Sequence, residues 1–216
     1  MELADLHTPE EQAAATRSQL YQILGLAFEF PTPDFFDAAR EGAFSQSLAQ
    51  LCAALPYSLT ASTTDLDQVG TSYGDFESEY IALFDVGAAG APCPLYGGVY
   101  GGDRMKVMED ALRFYQFFGL RLSAEIRELP DHLTTELEFL HFLAFRETEA
   151  RQQGADPSPF LRAQRDFLTR HVCRWVPQLQ QRLAAQSCAP FFPALVRFAA
   201  TFFAADQRYA TTAAGD

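Results

Sequence analysis

The chain of 216 residues is 48% hydrophobic and 20% charged, which provides enough apolar material for one globular domain. Its formal net charge is −12 and its basic residues form no cluster, so the sequence excludes electrostatic binding of nucleic acid and disfavours an anionic membrane surface. A basic partner is compatible with this charge, although many soluble proteins are equally acidic for solubility alone.

The N-terminal part of the chain carries start signals for three helices. Thr8 is followed by Pro9 and then by Glu11, which is the pattern of a capping box at a helix N-terminus. Thr32 before Pro33 predicts a second helix start of the same kind. A third helix is indicated by apolar residues at helical spacing, which are Phe44, Leu48, Leu51 and Leu55.

The middle of the chain combines an apolar stripe with an unusual loop. After a polar loop at residues 56–64, seven apolar residues at helical spacing predict one long helix: Leu66, Val69, Tyr73, Phe76, Tyr80, Leu83 and Phe84. Residues 87–102 then hold six of the 13 glycines and two prolines, so this segment is predicted to be an irregular loop. For a loop it is unusually apolar and aromatic.

The C-terminal half is also predicted to be helical. One helix is expected to end at Gly119, which suits a C-terminal cap, and the next is expected to start after Pro130 with Asp131 as its N-cap. Further helix starts are predicted at three proline-marked positions, two of them opening short helices: Ser158 with Pro159, Pro177, and Pro190.

No segment has the alternating pattern of a strand, so the predicted fold is all-α. We expect a single-domain helical bundle of roughly eight to ten helices over residues 1–216, with a Gly/Pro-rich central loop. N-terminal helices are expected within residues 8–86, the loop at 87–102, and C-terminal helices within residues 103–206. The chain begins with an acidic segment unlike a signal peptide and has no apolar run of membrane-spanning length, so we expect a cytoplasmic protein.

The segment ELPDHLTTELEFLHFLAF, residues 128–145, concentrates groups that can do chemistry. Its acids and imidazoles are Glu128, Asp131, His132, Glu136, Glu138 and His141. Two helical spacings could contribute to a metal site: Glu138 precedes His141 by three residues, and His132 precedes Glu136 by four. A complete ligand set is absent from the sequence, as are a nucleophile motif and a phosphate-binding loop. A helical metalloprotein or enzyme using His132, Glu136, Glu138 and His141 is the alternative hypothesis.

A peptide-binding surface explains the same residues better. Tyr80, Leu83 and Phe84 lead into the apolar loop, and an acidic helix start follows at Asp131. Apolar pockets accept a nonpolar segment, while carboxylates pair with arginines through the planar guanidinium. For most of the apolar stripe, ordinary core packing is the competing explanation.

Three segments together resemble the TorD/DmsD/NarJ family of redox-enzyme maturation chaperones. They are EYIALF at 79–84, PCPLYG at 92–97 and ELPDHLTTELEFL at 128–140. The family pattern is an aromatic-x-x-Leu-Phe, a loop proline, and Glu-x-Pro-Asp-His before a helix, and the order and spacing agree. The stretch PLYGGVYGGDRM is most similar to the branch that serves type II DMSO-reductase-family molybdoenzymes. The chain differs from the family pattern at Leu95-Tyr96, where a tryptophan commonly follows the loop proline.

The resemblance implies a function and a site. It implies a cytoplasmic chaperone that binds the twin-arginine signal peptide and the apo catalytic subunit of a molybdenum-containing oxidoreductase until the cofactor is inserted. The implied binding residues, to which we add Glu136 as a further acid, are Tyr80, Leu83, Phe84, Pro94, Tyr96, Glu128, Asp131 and His132. Asp131 is expected to pair with an arginine, and protonation of His132 is expected to tune release.

The same resemblance implies a protein that performs no bond chemistry. We expect no catalytic residue, no cofactor and no metal of its own. The expected partners are the signal peptide and the catalytic subunit, without nucleic acid and without stable membrane association. The chain is expected to be a monomer or a dimer swapped through residues 87–102.

Overall fold

The computed structural model describes residues 6–85, 90–122 and 128–215. Within these ranges the chain forms nine α-helices and no β-strand, so the all-α prediction is confirmed. The helices are α1 (Pro9–Phe28), α2 (Pro33–Arg40), α3 (Ala43–Ala53), α4 (Tyr73–Tyr80), α5 (Arg104–Phe117), α6 (Leu133–Gln152), α7 (Ser158–Arg170), α8 (Val172–Ala184) and α9 (Phe191–Ala213). Residues 86–89, which include the predicted boundary and the start of the predicted loop, lie outside the described residues.

The predicted N-terminal helix starts are confirmed by their capping bonds. The hydroxyl of Thr8 accepts the backbone N–H of Glu11 at 3.2 Å, and the Glu11 carboxylate in turn accepts the backbone N–H of His7 at 2.8 Å. Thr32 caps α2 by accepting the N–H of Phe35 at 3.2 Å. These bonds satisfy donors that the first turn of a helix leaves unpaired.

The predicted long helix over residues 66–84 is wrong. The segment begins with a 3₁₀ turn at Thr64–Asp67, and α4 starts only at Tyr73, where Ser72 caps it by accepting the N–H of Asp75 at 3.1 Å. Between the two lies Gly70 with a φ of +88°, a conformation that breaks a right-handed helix. Six of the seven residues of the apolar stripe are nevertheless buried, and Tyr73 is half-buried against the core.

Two of the predicted C-terminal helix starts need correction. Ser158 is the first residue of α7 and is not its cap, since its N–H donates to the Asp156 carboxylate at 2.9 Å. Pro177 lies inside α8, and α9, which Pro190 precedes, runs for 23 residues and is not short. The cap predicted at Gly119 follows α5 with a φ of +74°, as expected for a glycine that ends a helix.

The core is built around α1 and α6, which pack along each other, with α7, α8 and α9 closing the other side. Fully buried leucines and phenylalanines fill the space between these helices, among them Leu20, Leu24, Leu137, Leu140, Phe202 and Phe203. No helix in the described part of the chain is long and apolar enough to cross a membrane.

The core also contains a group of buried or partly buried polar side chains. We call it the Arg17 cluster, and its members are Arg17, Tyr21, Tyr57, Glu147, Gln164 and Asp206. The Arg17 guanidinium donates to Glu147 at 2.9 Å and to both oxygens of Asp206, and it also donates to Gln164. Tyr21 and Tyr57 donate their hydroxyls to Asp206 as well. The cluster therefore ties α1, α6, α7 and α9 together with paired charges.

Candidate functional site

An open groove of about 1060 Å³ lies at one end of the α1–α6 pair. Its walls come from the C-terminal end of α1, the helical turn after α4, residues 90–99 of the loop, and the first two turns of α6. The groove thus joins segments that are far apart in the sequence, and one wall is apolar while the rim is acidic.

The apolar wall is formed mainly by aromatic side chains. Tyr80 donates its hydroxyl to the Phe28 carbonyl at 2.9 Å, which turns its ring into the groove against Phe30 and Phe84, with ring centroids 5.6 and 5.2 Å away. Phe30 and Leu26 are about half exposed, at 49% and 55%. Large apolar side chains left open beside a cavity are typical of a binding surface.

The rim carries four carboxylates, those of Glu29, Asp85, Glu128 and Glu138. Partial burial and the neighbouring charge of Glu138 raise the pKa of Glu29, which indicates that the two acids are close across the groove. A guanidinium placed between two such carboxylates relieves their repulsion and forms charge-assisted hydrogen bonds.

Two arginines line the groove within the described ranges, and they do not neutralise this rim. Arg104 lies over the ring of Tyr96 at 5.5 Å, and Arg182 lies over the ring of Tyr100 at 4.4 Å. Arginine stacks on aromatic faces in this way because the ring face is electron-rich. Among the lining residues that the structure describes, four carboxylates face two guanidiniums, so their balance is negative.

His132 stands at the start of α6 as its N-cap. Its Nδ1 accepts the N–H of Thr134 at 3.4 Å and lies 2.7 Å from the Thr134 hydroxyl, so the neutral ring carries its proton on Nε2. Nε2 faces Glu128 at 3.8 Å. Burial lowers the pKa of His132, and the charges of Glu128 and Asp131 oppose that shift only in part. The ring is therefore neutral near pH 7.

The loop wall is tied to the start of α6 by backbone hydrogen bonds. Tyr96 and His132 form an isolated antiparallel bridge, in which Leu133 donates to the Leu95 carbonyl at 2.8 Å. The Tyr96 hydroxyl donates to Glu128 at 2.7 Å, and burial together with this bond raises the pKa of Tyr96, so the phenol keeps its proton. The bridge fixes an aromatic ring and a carboxylate side by side on the rim.

Six of the nine predicted binding residues line the groove: Tyr80, Phe84, Pro94, Tyr96, Glu128 and His132. The other three, Leu83, Asp131 and Glu136, are buried and do not line it. Their binding roles stay predictions.

Asp131 and Glu136 face inward, towards other partners. Asp131 was expected to cap α6, but His132 does so, and the Asp131 carboxylate accepts the N–H of Gly98 at 2.9 Å. Glu136 accepts the indole N–H of Trp175 at 2.9 Å and lies 3.5 Å from Nδ1 of His171. Both carboxylates therefore support the groove from behind its wall.

The residues of the metal hypothesis do not converge. Glu136 points into the core although it shares a helix face with His132 by sequence spacing, and His141 uses its Nδ1–H on the Ser18 carbonyl at 2.9 Å. In the described ranges, no group of three or more His, Cys, Asp or Glu side chains is arranged to hold a metal ion.

The end of α1 was missed by sequence reasoning. Leu26, Glu29 and Phe30 line the groove, yet no residue of this region was among the predicted binding residues. One signal was available: Leu26 and Phe30 are apolar residues four apart within the last five positions before Pro31. Nothing in the sequence indicated that this end meets α6 and the loop.

Comparisons with known proteins agree on one family. A sequence profile of the family described as nitrate reductase delta subunit matches residues 38–181. The selenate reductase assembly chaperone of Thauera selenatis is 46% identical over 123 residues, which are 55% of this chain and 64% of that relative. The perchlorate reductase assembly chaperone of Dechloromonas aromatica is 31% identical over 192 residues, 86% of each chain.

A solved structure has the same fold. It is a crystal structure of a proposed redox enzyme maturation protein from Archaeoglobus fulgidus, with a TM-score of 0.50 and 20% sequence identity, covering 89% of this chain and 92% of the other. At this identity the likeness establishes the helical architecture alone.

Proposed function

Because the chain belongs to the nitrate reductase delta subunit family, we propose that it is a cytoplasmic assembly chaperone for the catalytic subunit of a molybdenum-containing oxidoreductase. The names of its relatives support this proposal, since they describe assembly chaperones for selenate and perchlorate reductases. An assembly chaperone binds its client and performs no reaction on it, so the protein is not an enzyme.

The groove is the proposed binding site for the client's twin-arginine signal peptide. The observation that carries this is the close arrangement of an acidic rim and an apolar wall in one groove of about 1060 Å³. Such a peptide has two adjacent arginines followed by an apolar segment, so it needs both kinds of surface next to each other. A negative groove also speeds the approach of a cationic peptide.

Different side chains of the groove are proposed to contact the two parts of the peptide. Glu29, Glu128 and Glu138 are the proposed partners of the arginines, because their carboxylates are open to solvent on the rim. Phe30 and Phe84 accept the apolar segment. A peptide held in this way is kept from the export machinery and from proteases until the catalytic subunit has received its cofactor.

Calorimetric titration with a synthetic peptide tests the proposal. The peptide carries two adjacent arginines followed by about 7–15 apolar residues, and its control has the arginines replaced by glutamines. We expect wild-type protein to bind the first peptide and to bind the control at least about tenfold more weakly, because charge-assisted bonds are lost. An undetectable heat and unchanged fluorescence with the arginine peptide would remove the proposal.

A matched pair of variants locates the site. Phe30→Ala removes a half-exposed ring of the groove wall, and Phe117→Ala removes a ring that is 81% exposed on α5 outside the groove. Phe30→Ala is expected to weaken peptide binding about tenfold, because the variant loses the apolar surface of Phe30 that the bound peptide would cover. Phe117→Ala is expected to bind like wild type, and equal affinities for both variants would place the peptide elsewhere.

The proposed assembly state is a monomer or a domain-swapped dimer. The predicted hinge for the swap, residues 87–102, is described from residue 90 onward. Light scattering on the eluting protein separates the two states, because the chain has a mass of 24.0 kDa and the dimer twice that.

A further inference from the structure

We propose that Asp131 is a positioning residue, which holds the loop wall of the groove in place and makes no contact with the arginines of the peptide. The inference rests on the proposed function of the groove and concerns how that groove is built. It gives Asp131 a different role from the arginine partner that the sequence suggested.

The first observation is that Asp131 accepts two hydrogen bonds from the loop. Its side-chain Oδ2 accepts the N–H of Gly98 at 2.9 Å, and its backbone carbonyl accepts the N–H of Gly97 at 2.8 Å. Two successive loop N–H groups therefore end on one residue. Because the Leu133–Leu95 bond lies directly beside them, the loop is fixed at three consecutive points along the start of α6.

The second observation is that a peptide has no room to reach this carboxylate. Asp131 is fully buried. A methyl group added at Gly98 would lie 2.8 Å from Oδ2 of Asp131 and 2.6 Å from Cγ of Arg104, both closer than a Cβ atom approaches other heavy atoms in proteins. A guanidinium is far larger than a methyl group, so the arginines stay on the other side of the loop.

The third observation is what the anchored loop holds. Tyr96 positions the Glu128 carboxylate through its hydroxyl at 2.7 Å and packs edge-on against His132, with ring centroids 4.8 Å apart. Release of Gly98 would shift Tyr96 and, with it, the acidic rim. Asp131 thus acts on peptide affinity through Tyr96 and Glu128.

Trp175 reports the position of the loop. It is the only tryptophan of the chain, it stacks on Tyr100 at 5.3 Å, and its indole nitrogen would lie 2.9 Å from a methyl group added at Gly97. A displaced loop would change the surroundings of the indole and hence its emission spectrum. This readout does not depend on any peptide.

The decisive experiment compares Asp131→Asn with Asp131→Ala. Asparagine keeps an oxygen for the Gly98 N–H and removes the charge, whereas alanine removes both. We expect Asp131→Asn to bind the arginine peptide within about threefold of wild type with unchanged Trp175 emission. Asp131→Ala is expected to bind roughly tenfold more weakly or worse, with shifted emission, because a buried N–H loses its acceptor. Equal loss of affinity in both variants with unchanged emission would overturn the proposal.

A second pair of variants tests the same proposal if Asp131→Ala does not fold. Gly98→Ala leaves the carboxylate intact and pushes the loop away from it, while Gly74→Ala adds a methyl group that meets nothing within 4 Å. We expect Gly98→Ala to weaken binding and shift the Trp175 emission, and Gly74→Ala to do neither. Wild-type binding and emission in Gly98→Ala would contradict the proposal.

The results also separate this inference from the function on which it rests. If wild-type protein fails to bind the peptide, the proposed function is wrong. The emission spectra of Asp131→Asn, Asp131→Ala and Gly98→Ala still decide whether Asp131 positions the loop.

Discussion

The protein contains two buried polar regions that differ in how fully they are hydrogen-bonded. The first is the Arg17 cluster, and the second, which we call the polar layer, consists of Asp131, Glu136, His171 and Trp175 behind the groove wall. In the part of the chain that the structure describes, three buried side-chain atoms lack a hydrogen bond, and all three belong to the polar layer. They are Oδ1 of Asp131, Oε1 of Glu136 and Nδ1 of His171.

The two regions also differ in how their surroundings shift the pKa of a buried charged group. Burial opposes the charge of Arg17, but Asp206 and Glu147 more than offset it, so the pKa of Arg17 lies well above its usual value. In the polar layer, burial raises the pKa of Glu136, and His171 and Trp175 only partly counter the shift. The native structure therefore favours the charged form of Arg17 and disfavours the charged form of Glu136.

The contrast assigns the two regions different roles. A fully paired cluster specifies how helices pack, because each misplacement would leave a charge unpaired. Buried polar groups without partners destabilise a protein, and they persist mainly where function or backbone positioning requires them. The polar layer lies directly behind the loop wall of the groove, so its position agrees with such a requirement.

The largest expected effect is a loss of stability when the Arg17 cluster is disrupted. Arg17→Met removes the cation and leaves Glu147 and Asp206 buried without it, which is expected to lower the free energy of unfolding by about 3–5 kcal/mol. Peptide affinity of the folded fraction is expected to stay unchanged, because the three charged members of the cluster, Arg17, Glu147 and Asp206, do not line the groove. Urea denaturation and calorimetric titration measure the two quantities.

The matched control for Arg17→Met is Arg40→Met. Arg40 forms an ion pair with Asp37 at 2.9 Å, with side chains 50% and 54% exposed. Exposed pairs contribute at most about 1 kcal/mol, so this variant is expected to lose little stability. Similar losses in both variants would show that the Arg17 cluster does not specify the fold.

The second prediction concerns the polar layer, where Glu136 should make the free energy of unfolding depend on pH. The raised pKa of Glu136 means that the native state keeps this proton at pH values where the unfolded chain, with a pKa near 4.5, has lost it. Its contribution to stability is complete below about pH 4.5 and is lost as the pH rises through the native pKa. Glu136→Gln cannot ionise, so its stability relative to wild type should increase as the pH rises above 4.5.

Urea denaturation over a pH series measures this trend. Glutamine keeps an oxygen for the Trp175 indole, so the hydrogen bond at 2.9 Å can persist in the variant. Glu149→Gln, partly exposed on the same helix and paired with Arg146, controls for the replacement of a carboxylate in α6. A stability difference independent of pH would show that Glu136 is no more protonated in the native state than in the unfolded one.

The contrast also explains what could be predicted from the sequence. Helix starts at Thr8 and Thr32 were predicted because capping joins residues three apart. The cap at Asp131 was predicted wrongly because Gly98, distant in sequence, competes for its carboxylate. A local rule cannot include such a partner.

The site was predicted in part for the same reason. Tyr80, Tyr96 and His132 were identified by a family resemblance, and they do line one groove. Glu29 and Phe30 were missed because their membership depends on how the end of α1 packs beside α6. The fold class followed from spacing and capping, whereas the division of the acids between the rim and the polar layer required the structure.

The smallest predicted effect is a pH dependence of peptide affinity, which arises from His132 on the groove. Mainly because of burial, the pKa of His132 lies below its usual 6.5, although Glu128 and Asp131 oppose the shift. The ring therefore gains a proton only below about pH 6.5, and its contribution to stability, present above that value, is lost as the pH falls. A bound arginine beside the ring repels that proton, so peptide affinity is expected to decrease severalfold between about pH 7.5 and 5.5.

Calorimetric titration of His132→Asn over the same pH range isolates this effect. Asparagine is a good N-cap and retains an acceptor for the Thr134 N–H, but it does not titrate. The charged and titratable groups around His132 are Glu128 and Asp131 on its own segment and Tyr96 on the loop. Glu138 on α6, Arg104 on α5 and Glu29 after α1 line the same groove. The pKa of Glu29 is raised by burial and by Glu138, so part of the pH dependence will remain in the variant.

We expect a flatter profile of peptide affinity against pH for His132→Asn than for wild type and for His7→Asn, whose histidine lies outside the groove. Parallel profiles for all three proteins would assign the pH dependence to the acids of the rim and leave His132 with only its capping role.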